Sequence, residues 1–271
     1  MNTSNKDINR IDRCFAELKA ANKKALITFV TAGDPDLETT EKTVLEMFDR
    51  GADIIELGVP FSDPIAEGVT IQKASLRSLN NGTTLDKIFD TVKNIRTKTD
   101  KPLLLMMYLN TIFVYGTEKF FSLCREYGID GVIVPDMPYE ERDEILPYAD
   151  KYGIHNINLV SPASHDRIKK IAADSSGFLY CVSSNGVTGT RSGFSTDFDE
   201  FFGLIRDNAS CPYCVGFGIS GAQQARDMAS YCDGVIVGSA IVNIIAENGR
   251  ACVNKVGDFV QELKEEISDS I

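Results

Sequence analysis

Histidine is scarce, with two residues, His155 and His165, in a chain of 271. Neither stands at ligand spacing with another histidine or a cysteine. That argues against a metal site and leaves little material for a serine–histidine–aspartate triad. Long apolar runs are missing too. The longest, Leu103–Leu109, falls far short of the roughly 20 residues a membrane-spanning helix needs. Basic residues are in deficit, 28 Lys and Arg against 39 Asp and Glu, for a net charge of -11. Such a surface repels nucleic acid and anionic membrane, so neither is expected as a partner. Met1–Arg13 is polar and lacks the apolar core of a signal peptide. The cysteines are odd in number, 7, and scattered from Cys14 to Cys252, a pattern of reduced thiols in a cytoplasm and not of a disulfide framework. No Pro/Ser-rich linker, charge block or low-complexity segment divides the chain, so a single domain over residues 1–271 is expected.

What the chain has is alternation. Short apolar runs, several of them solid Val/Ile/Leu, predict strands at Ala25–Thr31, Asp53–Gly58, Leu103–Tyr108, Gly131–Val134, Asn156–Val160, Phe178–Val182, Tyr213–Phe217 and Gly234–Val237. Runs without polar alternation suit parallel strands covered on both faces. Helical spacing separates them at Leu37–Phe48, Leu85–Ile95, Lys119–Tyr127, Glu140–Tyr152, His165–Ala173, Asp197–Arg206 and Ala222–Ser230, and Ala251–Ile267 closes the chain. An additional N-terminal helix is read from Ile8, Ile11, Phe15 and Leu18, with Ser4 and Asp7 at capping-box spacing. Eight βα units in about 250 residues is the arithmetic of an α/β TIM (β/α)8 barrel. An open doubly wound sheet is the rival, and eight units suit closure better.

In a barrel, chemistry sits where the strands end. Glu56 lies in the apolar strand Asp53-Ile-Ile-Glu-Leu-Gly58. A carboxyl desolvated there has a raised pKa and suits proton transfer, though an ion-paired structural glutamate would fit the same pattern. The following loop, Val59–Gly68, is shaped by Pro60 and Pro64 and adds Asp63 and Glu67 to the same mouth. Paired carboxyls in different environments commonly make an acid and a base, while a loop carboxylate can equally be solvated. Gly216-Phe-Gly-Ile-Ser-Gly221 matches G-x-G-x-x-G, but in the seventh unit. The next strand ends in Gly238-Ser239-Ala240 with no acid, so two adjacent phosphate nests fit better than a dinucleotide site. Asn185-Gly-Val-Thr188-Gly189, after the sixth strand, reads as a loop able to cover the phosphate. Cys211-Pro-Tyr-Cys214 has redox-motif spacing, yet its second cysteine enters a strand where that chemistry wants a helix N-terminus. The sixth strand carries Tyr180 and no lysine, and Met106–Asn110 offers an apolar wall for a flat ligand or simply barrel core.

Two segments carry a resemblance. Gly58-Val-Pro-Phe-Ser-Asp-Pro-Ile-Ala-Glu-Gly68 and Phe29-Val-Thr-Ala-Gly-Asp-Pro35 resemble the alpha subunit of tryptophan synthase, and Gly186–Gly189, Gly216–Ser220 and Gly238–Val242 match its remaining motifs in order. The resemblance implies a TIM barrel that splits indole-3-glycerol phosphate into indole and glyceraldehyde 3-phosphate by a retro-aldol route without Schiff base, metal or other cofactor. It places Glu56 on the family's essential glutamate, Glu67 on its second catalytic carboxylate and Tyr180 on its active-site tyrosine. Gly189, Gly218, Gly238 and Ser239 fall on phosphate-binding positions, Phe29 and Tyr108 on the indole pocket, and Asp63 and Thr188 in the two loops over the site. It also implies a pyridoxal-phosphate-dependent beta subunit as partner, in an alpha2beta2 heterotetramer. Glu67 stands where the family usually has Asp, and Ser184-Asn185 where Arg is frequent. The longer Glu67 keeps open a ligand-holding paralogue that activates its partner without turnover. A class I aldolase is disfavoured by the missing lysine.

Overall fold

The computed structural model describes residues 8–182, 198–216 and 218–268. Its strands are β1 (Ala25–Thr31), β2 (Ile54–Gly58), β3 (Leu103–Met106), β4 (Gly131–Ile133), β5 (His155–Asn156), β6 (Leu159–Val160), β7 (Leu179–Val182), β8 (Tyr213–Gly216) and β9 (Gly234–Val237). All pair in parallel, in the order β5-β4-β3-β2-β1-β9-β8-β7-β6. The two ends of that order, β5 and β6, are neighbours in sequence. Ile157 N donates to Val132 O at 2.9 Å on one side, and Tyr180 N donates to Asn158 O at 3.0 Å on the other. Residues 155–160 therefore act as one barrel stave, and the ring closes. The single strand expected at Asn156–Val160 is in fact two short ladders, because the chain bends as it exchanges β4 for β7. Closure decides against the open sheet.

The solid apolar runs resolve into two faces once the ring exists. Ile27, Ile54, Leu104, Ile133, Ile157, Phe178, Cys214 and Ile236 fill the barrel interior. Their alternate neighbours, among them Leu26, Leu57, Leu105, Val132, Val215 and Val235, pack under the helices. That is why these strands show no polar alternation.

The helices are α1 (Arg10–Ala20), α2 (Leu37–Asp49), α3 (Val69–Asn80), α4 (Leu85–Arg96), α5 (Leu109–Tyr115), α6 (Thr117–Tyr127), α7 (Leu146–Tyr152), α8 (Ile168–Ala173), α9 (Phe198–Arg206), α10 (Ala222–Ala229), α11 (Ser239–Asn248) and α12 (Val253–Ser268). None of them is long and apolar enough to cross a membrane. Helix α1 is the additional N-terminal helix. Its Ile11 and Phe15 plug the floor of the barrel, Phe15 meeting Phe178 at 5.9 Å between ring centres. The cap differs from the one expected at Ser4 and Asp7. Asn9 accepts from Ile11 N at 2.9 Å and donates to Asp130 O at 2.8 Å, tying helix to barrel, while Ser4 and Asp7 lie outside the described residues. Beneath it Asp130 is buried between Arg10 and Arg96, at 3.0 and 2.8 Å, and accepts from Leu103 N at 2.9 Å. The floor is thus sealed by apolar packing and ion pairs, and the opposite end is left for chemistry.

Candidate active site

The mouth holds a cavity of about 710 Å³, part of it open to solvent, lined by Phe29, Glu56, Ala66, Glu67, Ile71, Met106, Pro135, Leu159, Tyr180, Gly218, Ile219, Ile236, Gly238 and Ser239. Its wall is mostly apolar with a few polar groups, the usual character of a small-molecule site.

Glu56 enters from the middle of β2, beside Phe29 of β1 and Leu104 of β3 in the ladder. Its exposure is 0%, and neither carboxyl oxygen has a hydrogen-bond partner. Burial pushes its pKa up to about 8, since a lone carboxylate in an apolar pocket has nothing to replace its lost hydration. Among the described residues no cation pairs with its oxygens, which disfavours the ion-paired alternative. Tyr180 stands across the interior on β7. Burial and the nearby Glu56 raise its phenol well above the usual range. A Cβ at Gly216 would sit 2.7 Å from the Tyr180 hydroxyl oxygen, so only glycine on β8 leaves the ring its place.

Glu67 arrives on the loop between β2 and α3. Its carboxyl accepts a short hydrogen bond from the Tyr108 hydroxyl. Half-burial raises its pKa, and the bond from Tyr108 opposes that rise. The cavity therefore presents two carboxyls in unlike settings, one unpartnered and one hydrogen-bonded.

Two staves from β2, after β9, α11 begins at Ser239 with Gly238 as its cap residue and no side chain satisfying its first amides. Gly218 contributes backbone at φ +83, a left-handed conformation that side chains resist. The two glycine-bracketed turns after β8 and β9 thus offer unblocked N–H groups at a helix N-terminus, an arrangement suited to an anion.

Other expected residues are placed differently. Tyr108 is outside the cavity lining. It caps α5 just past the end of β3 and lies behind the loop, stacked on Phe61 at 4.6 Å between ring centres, and Met106, the last residue of β3, takes the wall position. Asp63 is exposed, away from the cavity, and accepts from the Ser62 hydroxyl. Thr188 and Gly189, with the whole Asn185–Gly189 motif and Phe217, lie outside the described residues. Cys214 is buried inside β8 with no helix starting nearby, and burial pushes the Cys211 thiol up to about 12. Neither is a ready thiolate.

Ile71, Pro135, Leu159, Ile219 and Ile236 complete the wall and were not singled out in the sequence. A signal existed for one of them. Ile236 precedes Gly238 by two, so both face the same side of the strand.

Comparison with known proteins agrees with this geometry. The profile of the tryptophan synthase alpha chain family matches residues 15–268. The tryptophan synthase alpha chain of Caldanaerobacter subterraneus subsp. tengcongensis is 50% identical over 260 residues, 95% of this chain and 99% of that one. The crystal structure of tryptophan synthase subunit alpha from Legionella pneumophila is similar with a TM-score of 0.87 at 34% identity, covering 97% of this chain and 99% of that chain. A chain of the tryptophan synthase complex from Pyrococcus furiosus is similar with a TM-score of 0.81 at 36% identity, covering 89% and 98%. With a profile matched across nearly its full length and a relative identical at half of the aligned positions, the chain belongs to the tryptophan synthase alpha chain family.

Proposed function

We propose that this chain is a carbon–carbon lyase that cleaves indole-3-glycerol phosphate to indole and glyceraldehyde 3-phosphate, as the alpha subunit of a tryptophan synthase in L-tryptophan biosynthesis. The observation that carries the reading is Glu56, wholly buried and without a hydrogen-bond partner in a mostly apolar cavity. A carboxyl with a pKa near 8 is mostly protonated at neutral pH. It is then an acid able to protonate C3 of the indole ring, which turns the ring into an electron sink. The hydroxyl on the carbon attached to C3 loses its proton to the same carboxylate and becomes the aldehyde. The C3–carbon bond breaks, and its electron pair restores the aromatic ring. Glu67, as a carboxylate, stabilises the positive charge that develops on the ring nitrogen. Tyr180 shapes the pocket around the reacting carbon. Gly218, Gly238 and Ser239 receive the phosphate, together with Gly189, which lies outside the described residues, and Phe29 and Met106 hold the indole plane.

A single barrel domain, working in the cytoplasm, suits the reading. The seven cysteines are all unpaired. A beta-subunit partner is supported by exposed apolar side chains at the barrel mouth, Ile65 and Val69 after β2 and Phe113 and Val114 after β3. Such a patch marks an interaction surface, and we propose an alpha2beta2 assembly over it. The deciding assay is turnover of indole-3-glycerol phosphate by the purified chain, with and without its cognate beta subunit. Indole release, faster with the partner and accompanied by co-elution on size-exclusion chromatography, is expected. No indole under either condition would end the reading.

The phosphate assignment has its own test. Gly218→Val should intrude on the backbone cradle, and Ser239→Asp should set a negative charge beside a dianion. Each is expected to weaken binding of indole-propanol phosphate by at least about tenfold, a loss of roughly 1.4 kcal/mol, in calorimetric titration. Unchanged affinity in both would place the phosphate elsewhere.

A further inference from the structure

One tyrosine hydroxyl holds the loop that carries Glu67. The Tyr108 oxygen accepts from Ile65 N and from Ala66 N, each at 2.8 Å, and its own proton goes to Glu67 Oε2. Three successive residues of the loop thus converge on one atom. The ring beneath is clamped by Phe61 and is 3% exposed. On the far side of Glu67, its carbonyl accepts from the Gln72 side chain at 2.8 Å, which anchors the loop to the first turn of α3.

We propose that Tyr108 is a positioning residue that seats the longer Glu67 side chain, fixing its carboxylate at the rim of the cavity. The geometry gives the reason. With both amide hydrogens directed at its lone pairs, the hydroxyl cannot turn its proton toward the loop backbone, and Glu67 is the remaining acceptor. The bond favours the ionised form of Glu67, the form a developing cation on the ligand needs. An aspartate, one methylene shorter, would lose either the tyrosine or its place at the rim. Tyr108 therefore explains how this chain accommodates glutamate. The inference rests on the lyase reading for its catalytic consequence and on the contact alone for its electrostatic one.

Tyr108→Phe removes one atom and keeps the ring stacked on Phe61, so the fold is retained. In protein labelled with 13C at glutamate carboxyls, with the Glu67 signal identified by its loss in Glu67→Gln, the Glu67 midpoint is expected to rise by roughly half to one pH unit in Tyr108→Phe. An unmoved midpoint overturns the proposal. In turnover, Tyr108→Phe should lower kcat about tenfold with KM little changed, and lower it no further in a Glu67→Gln background. Equal losses in both backgrounds overturn it too. If the native chain releases no indole, the lyase reading falls while the titration still decides the role of Tyr108.

Discussion

Glu56→Gln is expected to lose at least about 1,000-fold in the rate of indole release while becoming more stable at alkaline pH. Glutamine keeps the shape and gives up the proton, and general acid–base catalysis is worth about 10²–10⁴-fold. The stability change follows from the same burial. Glu56 shifts from its ordinary 4.5 to about 8 on folding. Across that window the folded chain holds a proton the unfolded chain has released. The group's contribution is full below about 4.5 and is lost as pH climbs to about 8. Above it, a lone buried carboxylate costs a few kcal/mol, which the amide does not. Thermal melts should therefore show little difference between the two proteins at pH 5 and a gap of roughly 5–10 °C in favour of the variant at pH 9. A gap that stays flat with pH would contradict the assigned environment, and near-normal turnover would remove Glu56 from the chemistry.

Glu67→Ala is expected to cost about 100-fold or more in kcat with modest change in KM, because charge on the ring nitrogen is absent from the bound ground state and develops only as C3 is protonated. Glu67→Asp is the more telling substitution. The loop is fastened to Tyr108 in a geometry fitted to glutamate, so the shorter residue should be worse than the native one. A displacement near 1 Å can cost about 100-fold. Aspartate outperforming glutamate in steady-state assays would mean the loop is compromised, and equal rates for Glu, Asp and Ala would exclude residue 67 from the mechanism.

Much of this site was legible because its chemistry conflicts with its surroundings. A glutamate inside Ile54–Gly58 and glycines opening two helices are anomalies that a reader of strand ends meets at once. The stave pattern was legible for a related reason, as apolar runs survive wherever both faces are covered. The wall contributed by α3 was not. Its buried side is Ile71, Ala74, Ser75 and Ser78, while Val69 and Leu76 face solvent. A helix whose inner face is small and whose outer face is apolar defeats a search for apolar periodicity. Helix α5 hides likewise, with Ile112 its one buried residue and Phe113 and Val114 exposed, so Leu103–Tyr108 reads as a strand running on past its true end. Tyr108 was legible as an aromatic near the site. That its hydroxyl would serve the loop instead of the cavity depends on a β2–α3 loop whose shape no local pattern encodes.

The ring closes between β1 and β9, pairing Ala25 with Gly234 and Thr28 with Val237. That seam joins the first stave made to the last. During synthesis the early strands emerge with one flank of hydrogen-bonding groups unanswered, and they wait until almost the whole chain has left the ribosome. Open edges of this kind recruit other strands, and contacts so distant in sequence form slowly. A nascent chain halted before Gly234 would carry both halves of the unfinished seam, on β1 and on β8, and would be a substrate for chaperones or a seed for aggregation. The geometry that isolates Glu56 from water thus also makes β9 decisive for whether the seam closes.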